Sequence, residues 1–257
     1  MSLTMMALRI AAVEALKLGG TLVGTNVLDS QISAIDQTAD GDLQTDQQRP
    51  FIAVYSDTSK ASDLGNTGLR TNGQIELTFN CGVSLTMGQT NKETGVTEII
   101  EGLPSTDAQF EAILDVVGCQ ICRVLTDPSN PWSQVFGDLC TLVSKAQVRS
   151  SSAADGVRLA CGQIKLTVEA YADPPLGQVF APDSHWLKFL ALMAQNGVAQ
   201  AGLFELMLGQ ANTSTDQSYE ALTGMTTRDA RSLALYAMDG VPAGVVVASP
   251  ISVEDRG

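Results

Sequence analysis

The sequence predicts an α+β fold: a mainly antiparallel β-sheet with long strands packs against helices, and a mostly helical C-terminal segment follows. Two stretches support the sheet, because residues 75–87 and 157–171 alternate apolar and polar side chains with a period of two. A third stretch, residues 106–126, repeats its apolar residues at helical spacing. These three patterns predict strands and a helix that share one apolar core.

The first long strand is predicted over residues 75–87. Its apolar positions are Ile75, Leu77, Phe79, Cys81, Val83, Leu85 and Met87. At about 3.3 Å per residue this run spans roughly 40 Å, whereas a common strand has about 5–6 residues. A strand of this length outgrows the core of one small domain, which indicates a sheet that reaches toward a neighbouring subunit. The opposite face is polar and includes Glu76 and Asn80.

Residues 142–149 and 157–171 are predicted to form a second hairpin. In its second arm the apolar residues stand at odd numbers up to Cys161 and at even numbers from Ile164 onward. A β-bulge, which inserts one extra residue, restores the buried face after such a slip, and glycine tolerates the backbone that a bulge requires. The pattern therefore predicts a bulge at residues 162–163.

Helices are predicted before and after the strands. Thr106 and Gln109 form a capping box, in which each side chain satisfies a backbone donor at the start of the best helix. The other predicted segments are helix 5–18, an acidic loop 29–46, strand 51–55, loop 56–73, helix 131–139 and helices 184–195, 199–208 and 226–238, with Ser184 and Thr226 as N-caps of the first and last of these three.

A change of composition at Asp173, Pro174 and Pro175 marks the expected domain boundary, because the signals after it turn helical. We expect an α+β domain over residues 1–173 and a helical extension with an extended tail over residues 174–257. Within the tail, residues 241–253 are apolar, β-branched and interrupted by proline, which indicates a terminal strand or a partner-binding segment.

The chain is strongly acidic. Its 257 residues include 28 acids and 15 bases, which give a formal net charge of −13. Tight binding of duplex nucleic acid is not expected, because that affinity comes from Lys and Arg side chains that neutralise phosphates. Like charge is useful instead in a channel through which DNA passes without sticking. No run of 18 or more apolar residues occurs, so no membrane span is expected.

The cysteines are expected to be free thiols of the core in a reducing compartment, because their number is odd and each falls in an apolar pattern. They are Cys81, Cys119, Cys122, Cys140 and Cys161. Cys119 and Cys122 have the spacing of a redox or metal motif. They fall inside the predicted helix rather than at its N-terminus, and no second cysteine pair completes a zinc site.

His185 is the only histidine, so a histidine-based catalytic pair would have to use it. It stands beside Trp186 at a predicted helix start, where packing and capping fit better than catalysis. We therefore expect no metal, no cofactor and no enzymatic activity. A thiol-dependent enzyme that uses Cys119 or Cys122 is the alternative from another class.

Charged residues provide the candidate contacts with other subunits or with the lining of a channel. The acids are Asp29, Asp36, Asp40, Asp42 and Asp46 in the acidic loop and Glu76 on the first long strand, and the bases are Lys145, Arg149, Arg158 and Lys165 on the second hairpin. In an assembly, the acidic loop of one subunit would pair with the basic hairpin of its neighbour. Such pairing gives orientation more than affinity.

The order of elements resembles that of the tail terminator (tail completion) proteins of long-tailed bacteriophages. The similarity covers residues 1–173 and is strongest in three stretches: PFIAVYSD after an N-terminal helix and a polar loop, GQIELTFNCGVSL, and DGVRLACGQIKLTVEAYADPP. The helical segment after Pro175 departs from the compact family pattern, which indicates an added domain at the periphery.

The resemblance implies a structural virion protein that forms a hexameric ring, caps the tail tube, stops its growth and joins the tail to the neck. Its expected partners are further copies of itself, the tail tube protein and a neck or head-completion protein, while DNA passes through without specific binding. The expected place is the tail–neck junction of the virion, after assembly in the host cytoplasm. A tail tube or other head–tail connector subunit is the structural alternative.

Overall fold

The computed structural model describes residues 2–31, 34–37, 43–45, 47, 49–84, 88–90, 97–99, 107–154, 157–175, 177–208 and 224–232. The helices are α1 (Leu3–Leu18), α2 (Asp107–Leu125), α3 (Pro131–Leu139), α4 (His185–Gln195), α5 (Ala201–Met207) and α6 (Thr227–Ser232), with a 3₁₀ helix over Gly65–Arg70. The strands are β1 (Val27–Asp29), β2 (Asp36–Gln37), β3 (Leu43–Gln44), β4 (Phe51–Lys60), β5 (Gly73–Ser84), β6 (Gly88–Thr90), β7 (Thr97–Ile99), β8 (Cys140–Ala154) and β9 (Val157–Ala170).

Five strands form the main sheet in the order β1-β4-β5-β9-β8. β1 runs parallel to β4, and every other neighbouring pair is antiparallel. Helices α1, α2 and α3 pack against one face of this sheet and share a buried apolar cluster with it. The α+β class with long, mainly antiparallel strands is therefore confirmed.

The alternating pattern of the first long strand is confirmed in β5. Its odd-numbered residues from 75 to 83 face the helices, and none of them is more than 4% exposed. They lie opposite the even-numbered residues of β9, for example Leu77 opposite Leu166 and Phe79 opposite Ile164. The last predicted positions, Leu85 and Met87, lie outside the described residues.

The bulge predicted at Gly162–Gln163 is wrong. Pairing runs without a shift through this region, with Gly162 opposite Cys81 and Gln163 opposite Asn80. The apolar pattern slips because both faces of the sheet are covered at this end. Cys161 lies opposite Gly82, and Gly82 lies opposite Phe51, on a face that Ala34 also covers.

Strand β4 is longer than predicted and continues through five polar residues to Lys60. Residues 58–60 pair with residues 74–76 of β5, after an irregularity between Ser56 and Thr58. The composition of residues 56–60 is typical of a loop. Backbone pairing with the long central strand nevertheless holds this segment extended, and its side chains remain largely exposed.

The N-terminal helix is more deeply buried than an amphipathic surface helix. Ser2 caps α1 by accepting a hydrogen bond from the Met5 backbone N–H at 3.0 Å. Small residues of the helix, among them Ala7, Ala11 and Ala15, have no exposed surface. Because these side chains are short, α1 lies close to β4 on one side and to α3 on the other.

The predicted helices around the long hairpin are confirmed where the structure describes them. Helix α3 begins at Pro131, and Asn130 caps it by accepting a hydrogen bond from the Trp132 backbone N–H at 3.0 Å. Helix α2 begins at Asp107. Thr106, the expected capping residue, lies outside the described part of the chain.

The described part of the C-terminal extension shares its core with the preceding sheet domain. Trp132 of α3 packs edge-on against Phe189 of α4, with ring centroids 6.1 Å apart, and Phe204 of α5 packs against Phe189 at 5.0 Å. These residues belong to the same buried cluster as α1 and β5. The predicted boundary at residue 173 therefore does not separate two cores among the residues described.

The predicted caps of the extension are present. Ser184 accepts a hydrogen bond from the Trp186 backbone N–H at 3.2 Å, and Thr226 accepts one from the Asp229 backbone N–H at 3.2 Å. The segment before α6 packs on the 3₁₀ helix, since the Gly224 carbonyl accepts a hydrogen bond from the Leu69 N–H at 2.8 Å. Residues 233–238, the rest of the last predicted helix, lie outside the described residues.

Candidate interaction surface

Strand β8 forms one edge of the main sheet and is exposed along most of its length. It has 15 residues and pairs with β9 on one side. Side chains from residue 141 to residue 148 are exposed on both faces of the strand. Because an edge strand presents a row of backbone N–H and C=O groups that lack a partner strand, β8 is a template for pairing with another chain.

An apolar groove lies beside this edge, between β8 and the C-terminal half of α2. It has a volume of about 260 Å³. Its lining consists of Phe79, Ile121, Cys122, Leu125, Thr126, Leu142, Val143, Ser144, Lys145, Ile164 and Leu166. Leu142 and Val143 are 52% and 50% exposed, so two neighbouring apolar side chains stand at the groove and at the sheet edge together. We call β8 and this groove the edge surface.

A second cavity extends the edge surface toward α3. It has a volume of about 490 Å³ and shares Leu125, Thr126 and Leu142 with the groove. Its lining is more polar and includes Asp138 and Lys188, whose carboxylate and ammonium groups lie 3.9 Å apart. The edge surface thus combines an apolar centre with a charged margin, as specific protein interfaces do.

The register explains why Leu142 and Val143 are both exposed. Leu142 lies opposite Val168 and Ser144 lies opposite Thr167, so Val143 is an extra residue in β8. Such a bulge bends an edge strand and interrupts its alternation. The sequence pattern does not predict this bulge.

Arg149 ties the edge strand to helix α2. Its guanidinium donates hydrogen bonds to the carboxylates of Asp115 and Glu111. The hydrogen bond to Asp115 and then the one to Glu111 raise the pKa of Arg149 above its ordinary value. This predicted interface base is therefore already paired within its own subunit, where it holds one wall of the groove in place.

The four predicted bases do not form one patch. Lys145 faces α2, and its Nζ lies 3.5 Å from the Cys122 Sγ. Lys165 lies on the opposite face, where its Nζ is 2.9 Å from the Glu76 carboxylate. The hydrogen bond to Glu76 raises the pKa of Lys165. Arg158 lies opposite Ala153 in the hairpin, and its side chain is outside the described atoms.

The predicted acids are also distributed. Asp29 ends β1 and pairs with Arg9 of α1, with 2.5 Å between its Oδ1 and the arginine Nε. Asp36 lies in β2, opposite Gln44 of β3. Asp40, Asp42 and Asp46 lie outside the described residues. The first acid of the predicted loop, Asp29, is therefore paired within its own chain.

The expectation of buried thiols holds for three cysteines and is wrong for Cys119. Cys81, Cys140 and Cys161 are buried, whereas Cys119 is exposed and Cys122 is partly exposed. The helical period explains the difference. Val117 and Ile121 are one turn apart on the buried face of α2, whereas residue 119 is half a turn from each and points to the opposite side. Burial raises the pKa of Cys81, Cys140 and Cys161 to about 12 in each case.

His185 has a packing role in the described structure. It is the first residue of α4 and is partly buried beside Trp186, with ring centroids 6.0 Å apart. Burial lowers the pKa of His185, although the Asp138 charge opposes this effect. Within the described residues, no cluster of three or more metal-ligating side chains occurs. None of the described helices combines the length and apolarity needed to cross a membrane.

Sequence reasoning missed the residues that define the edge surface. From the sequence, Leu142 and Val143 are predicted only as members of a strand, and no role is assigned to Glu111 or Asp115. Each side chain has an ordinary sequence context. Their importance comes from the position of β8 at the end of the strand order, which no local pattern records.

Comparison with known proteins identifies no family for this chain, so the edge surface is the basis for inferring its function. No protein-family model matches this chain, and no curated protein matches its sequence. The fold and surface together define an α+β protein whose long sheet has one exposed edge beside an apolar groove.

Proposed function

We propose that this chain is a structural subunit of a homomeric ring, a tail-terminator-like protein that caps the tail tube of a long-tailed bacteriophage and joins it to the neck. The edge surface is the observation that carries the proposal. A long exposed strand next to exposed apolar side chains is a liability in a monomer, because it invites uncontrolled pairing. In a closed ring, every copy of the edge surface is covered by the next subunit.

The two edges of the main sheet are unequal. One edge is the 15-residue strand β8, and the other is β1, which has only three residues. In the proposed ring, β8 therefore meets a surface of the next subunit other than β1, and such a heterologous contact closes into a ring when the rotation permits it. The hexamer implied by the family resemblance is such a ring.

The charge of the chain supports the same role. With a net charge of −13, a ring of these subunits repels the phosphates of DNA rather than holding them. A terminator must let DNA pass during ejection, and tight contacts with phosphate would slow it. A negative lumen therefore fits a passage for DNA and disfavours a DNA-binding connector.

Native mass spectrometry and negative-stain electron microscopy of the purified chain test the proposal. We expect rings with a mass six times that of the 27.0 kDa subunit. Leu142→Asp should dissolve the rings, because it places a charge in the apolar groove. Val179→Asp is the matched control, since Val179 is 93% exposed in the loop before α4. A wild-type chain that stays monomeric at all concentrations contradicts the proposal.

Deletion of the gene separates the terminator from the tail tube and connector alternatives. Tails of uncontrolled length are expected if the chain stops tube growth. Complete absence of tubes would indicate a tube subunit instead. Tails of normal length that fail to join heads would indicate a connector of the neck.

A further inference from the structure

We infer that the edge surface of one subunit binds residues 241–253 of a neighbouring copy, which add to β8 as an extra strand. The inference rests on the proposed ring and names the segment that covers its exposed edge. The binding partner is a second copy of this chain. The segment lies outside the described residues, and its sequence complements the surface that would receive it.

The opposite edge of the sheet is too short to be the partner of β8. A strand pairs residue by residue, and β1 supplies three residues for an edge of 15. Pairing between two β8 strands would cover the edge, but it produces a closed two-fold dimer rather than a ring. A longer extended segment is needed from another part of the chain.

Residues 241–253 have the composition of such a strand. The apolar residues of this segment are Val241, Ala243, Val245, Val246, Val247, Ala248, Ile251 and Val253. β-Branched residues favour the extended backbone, and their side chains would fill the groove between β8 and α2. Pro242 and Pro250 lack an N–H, which an added outer strand tolerates because one of its sides has no partner.

Charge at the groove fits the end of the same segment. Lys145 stands at the groove rim, and no described carboxylate pairs with it. The tail continues into Glu254 and Asp255 directly after its apolar stretch, and the single base Arg256 follows these two acids. An acidic end beside a basic rim gives complementary charge at the margin of an apolar contact.

The chain has enough length to reach a neighbour. Its last described residue is Ser232, in α6, and residues 224–225 pack on the 3₁₀ helix near the start of β5. Eight residues lie between Ser232 and residue 241, and an extended chain covers about 3.3–3.6 Å per residue. The segment can therefore begin roughly 30 Å from α6, which is beyond the width of the five-stranded sheet, at about 4.8 Å between strands.

Disulfide trapping in the full-length chain tests the inference. Cys119, the exposed thiol outside the groove lining, is first changed to Ser so that it does not interfere, and Cys122 is kept because it lines the groove. Ser249→Cys in the tail is then combined with Ser144→Cys or Ser150→Cys, two exposed positions on the same face of β8. Ser249→Cys with Val179→Cys is the matched control. Oxidised rings with a β8 cysteine should give a ladder of covalent oligomers on a non-reducing gel, and the control should not.

The possible results separate this inference from the ring itself. Rings that form without any β8 crosslink would overturn the inference and leave the proposed function intact. A crosslink that joins the tail to β8 within one chain, seen as a fast-migrating monomer, would overturn binding by a neighbour. If the wild-type chain forms no oligomer, both the ring and the inference fail.

Hydrogen exchange of the same rings provides a second measurement that does not depend on cysteine geometry. Val245→Asp combined with Val247→Asp should make those amides of residues 142–149 that point away from β9 exchange at least tenfold faster, because the added strand no longer protects them. The amides of β5 provide the internal control and should not change. Equal exchange of β8 in wild-type and variant rings would overturn the inference.

Discussion

Asp173, which follows β9 in the chain, caps the N-terminus of α1 by accepting hydrogen bonds from Thr4. Its Oδ1 accepts hydrogen bonds from the Thr4 backbone N–H at 2.9 Å and from the Thr4 hydroxyl at 2.8 Å. The same carboxylate accepts bonds from Leu3 N–H and from the amide of Asn72. One side chain thus joins the first helix, the start of β5 and the segment after β9. Its negative charge also lies at the positive end of a helix dipole.

Replacing Asp173 with Ala should lower the free energy of unfolding by about 1–3 kcal/mol, because the buried Thr4 and Asn72 side chains would lose acceptors. Asp173→Asn keeps one acceptor oxygen and should lose less. Urea denaturation followed by circular dichroism measures both effects. Asp183→Ala, at an exposed position before α4, is the control and should change little. Equal stability of Asp173→Ala and wild type would show that the cap has no energetic role.

Gly82 is required by the close approach of Phe51 across the sheet. A Cβ at residue 82 would lie 2.4 Å from the Phe51 Cε1, and Phe51 is fully buried. Gly82→Ala should therefore destabilise the protein by about 1–3 kcal/mol. Phe51→Leu should recover part of this loss when combined with Gly82→Ala, since it removes the clashing ring atoms. A double-mutant cycle from thermal or urea unfolding measures the coupling.

Gly137 offers the matched comparison for Gly82. It lies inside α3, and a Cβ at this position would meet no atom within 4 Å. Gly137→Ala should therefore stabilise the protein by about 0.5–1 kcal/mol, through helix propensity alone. If both substitutions changed stability by the same amount and in the same direction, packing against Phe51 would not be the cause at Gly82.

The cysteines should differ sharply in their reaction with an alkylating reagent. In the folded protein near pH 8, Cys119 should react first and Cys122 next, while the three buried thiols should react only on unfolding. Mass spectrometry of peptides after timed alkylation measures the order. A thiol-dependent enzyme would also require Cys119 or Cys122. That alternative is removed if both cysteines react slowly in the folded state. The Cys119→Ser variant is expected to assemble as wild type, because Cys119 lies outside the groove lining.

Stability should fall as the pH rises above 9. Burial raises the pKa of Cys81 from 9.0 to about 12, so the folded state keeps a proton that the unfolded state releases. The stabilisation is fully present below pH 9 and is lost progressively toward pH 12. Cys81→Ala should remove one such thiol and reduce the decline by up to about 1.4 kcal/mol per pH unit. Urea midpoints between pH 8 and 11 measure the difference between the two proteins.

The ion pairs of Arg149 should support the groove wall more than the stability of the whole fold. Because Glu111 and Asp115 are largely exposed, Arg149→Ala should cost less than about 1 kcal/mol and the cost should shrink with salt. Arg149→Lys should not restore both contacts, since a lysine cannot match two carboxylates with one planar fork. Urea unfolding at low and high salt measures this, and an effect that does not depend on salt would contradict it.

Natural proteins protect exposed sheet edges with features such as bulges and charged side chains, and β8 has few of these features. The Val143 bulge and the charge of Lys145 are such features, and both lie within its first six residues. The remaining edge is long and carries Val148, which is 57% exposed. An edge with so little protection is consistent with a surface that is covered on assembly, as the proposed ring requires.

Local patterns in the chain predict the elements whose apolar residues recur many times. The alternation of β5 from Ile75 to Val83, the Ser184 cap of α4, and the antiparallel hairpin of β8 and β9 follow from periods and a capping residue in the chain. These are local effects, because a side-chain period of two or 3.6 needs a single buried face to be recognised. The α+β class follows from them.

The positions of the buried faces and of the sheet edges follow from contacts between distant parts of the chain. Leu159 and Cys161 are buried on the opposite side of the sheet from Ile164, so two-sided burial produced the pattern that the sequence indicated as a bulge. The strand order places β8 at an edge of the sheet. The bases of the hairpin lie on two different faces, and α4 packs against the core side of α3. The physical reason is that burial depends on contacts between residues far apart in the chain. A local pattern shows that a side chain is apolar, but not which surface will cover it.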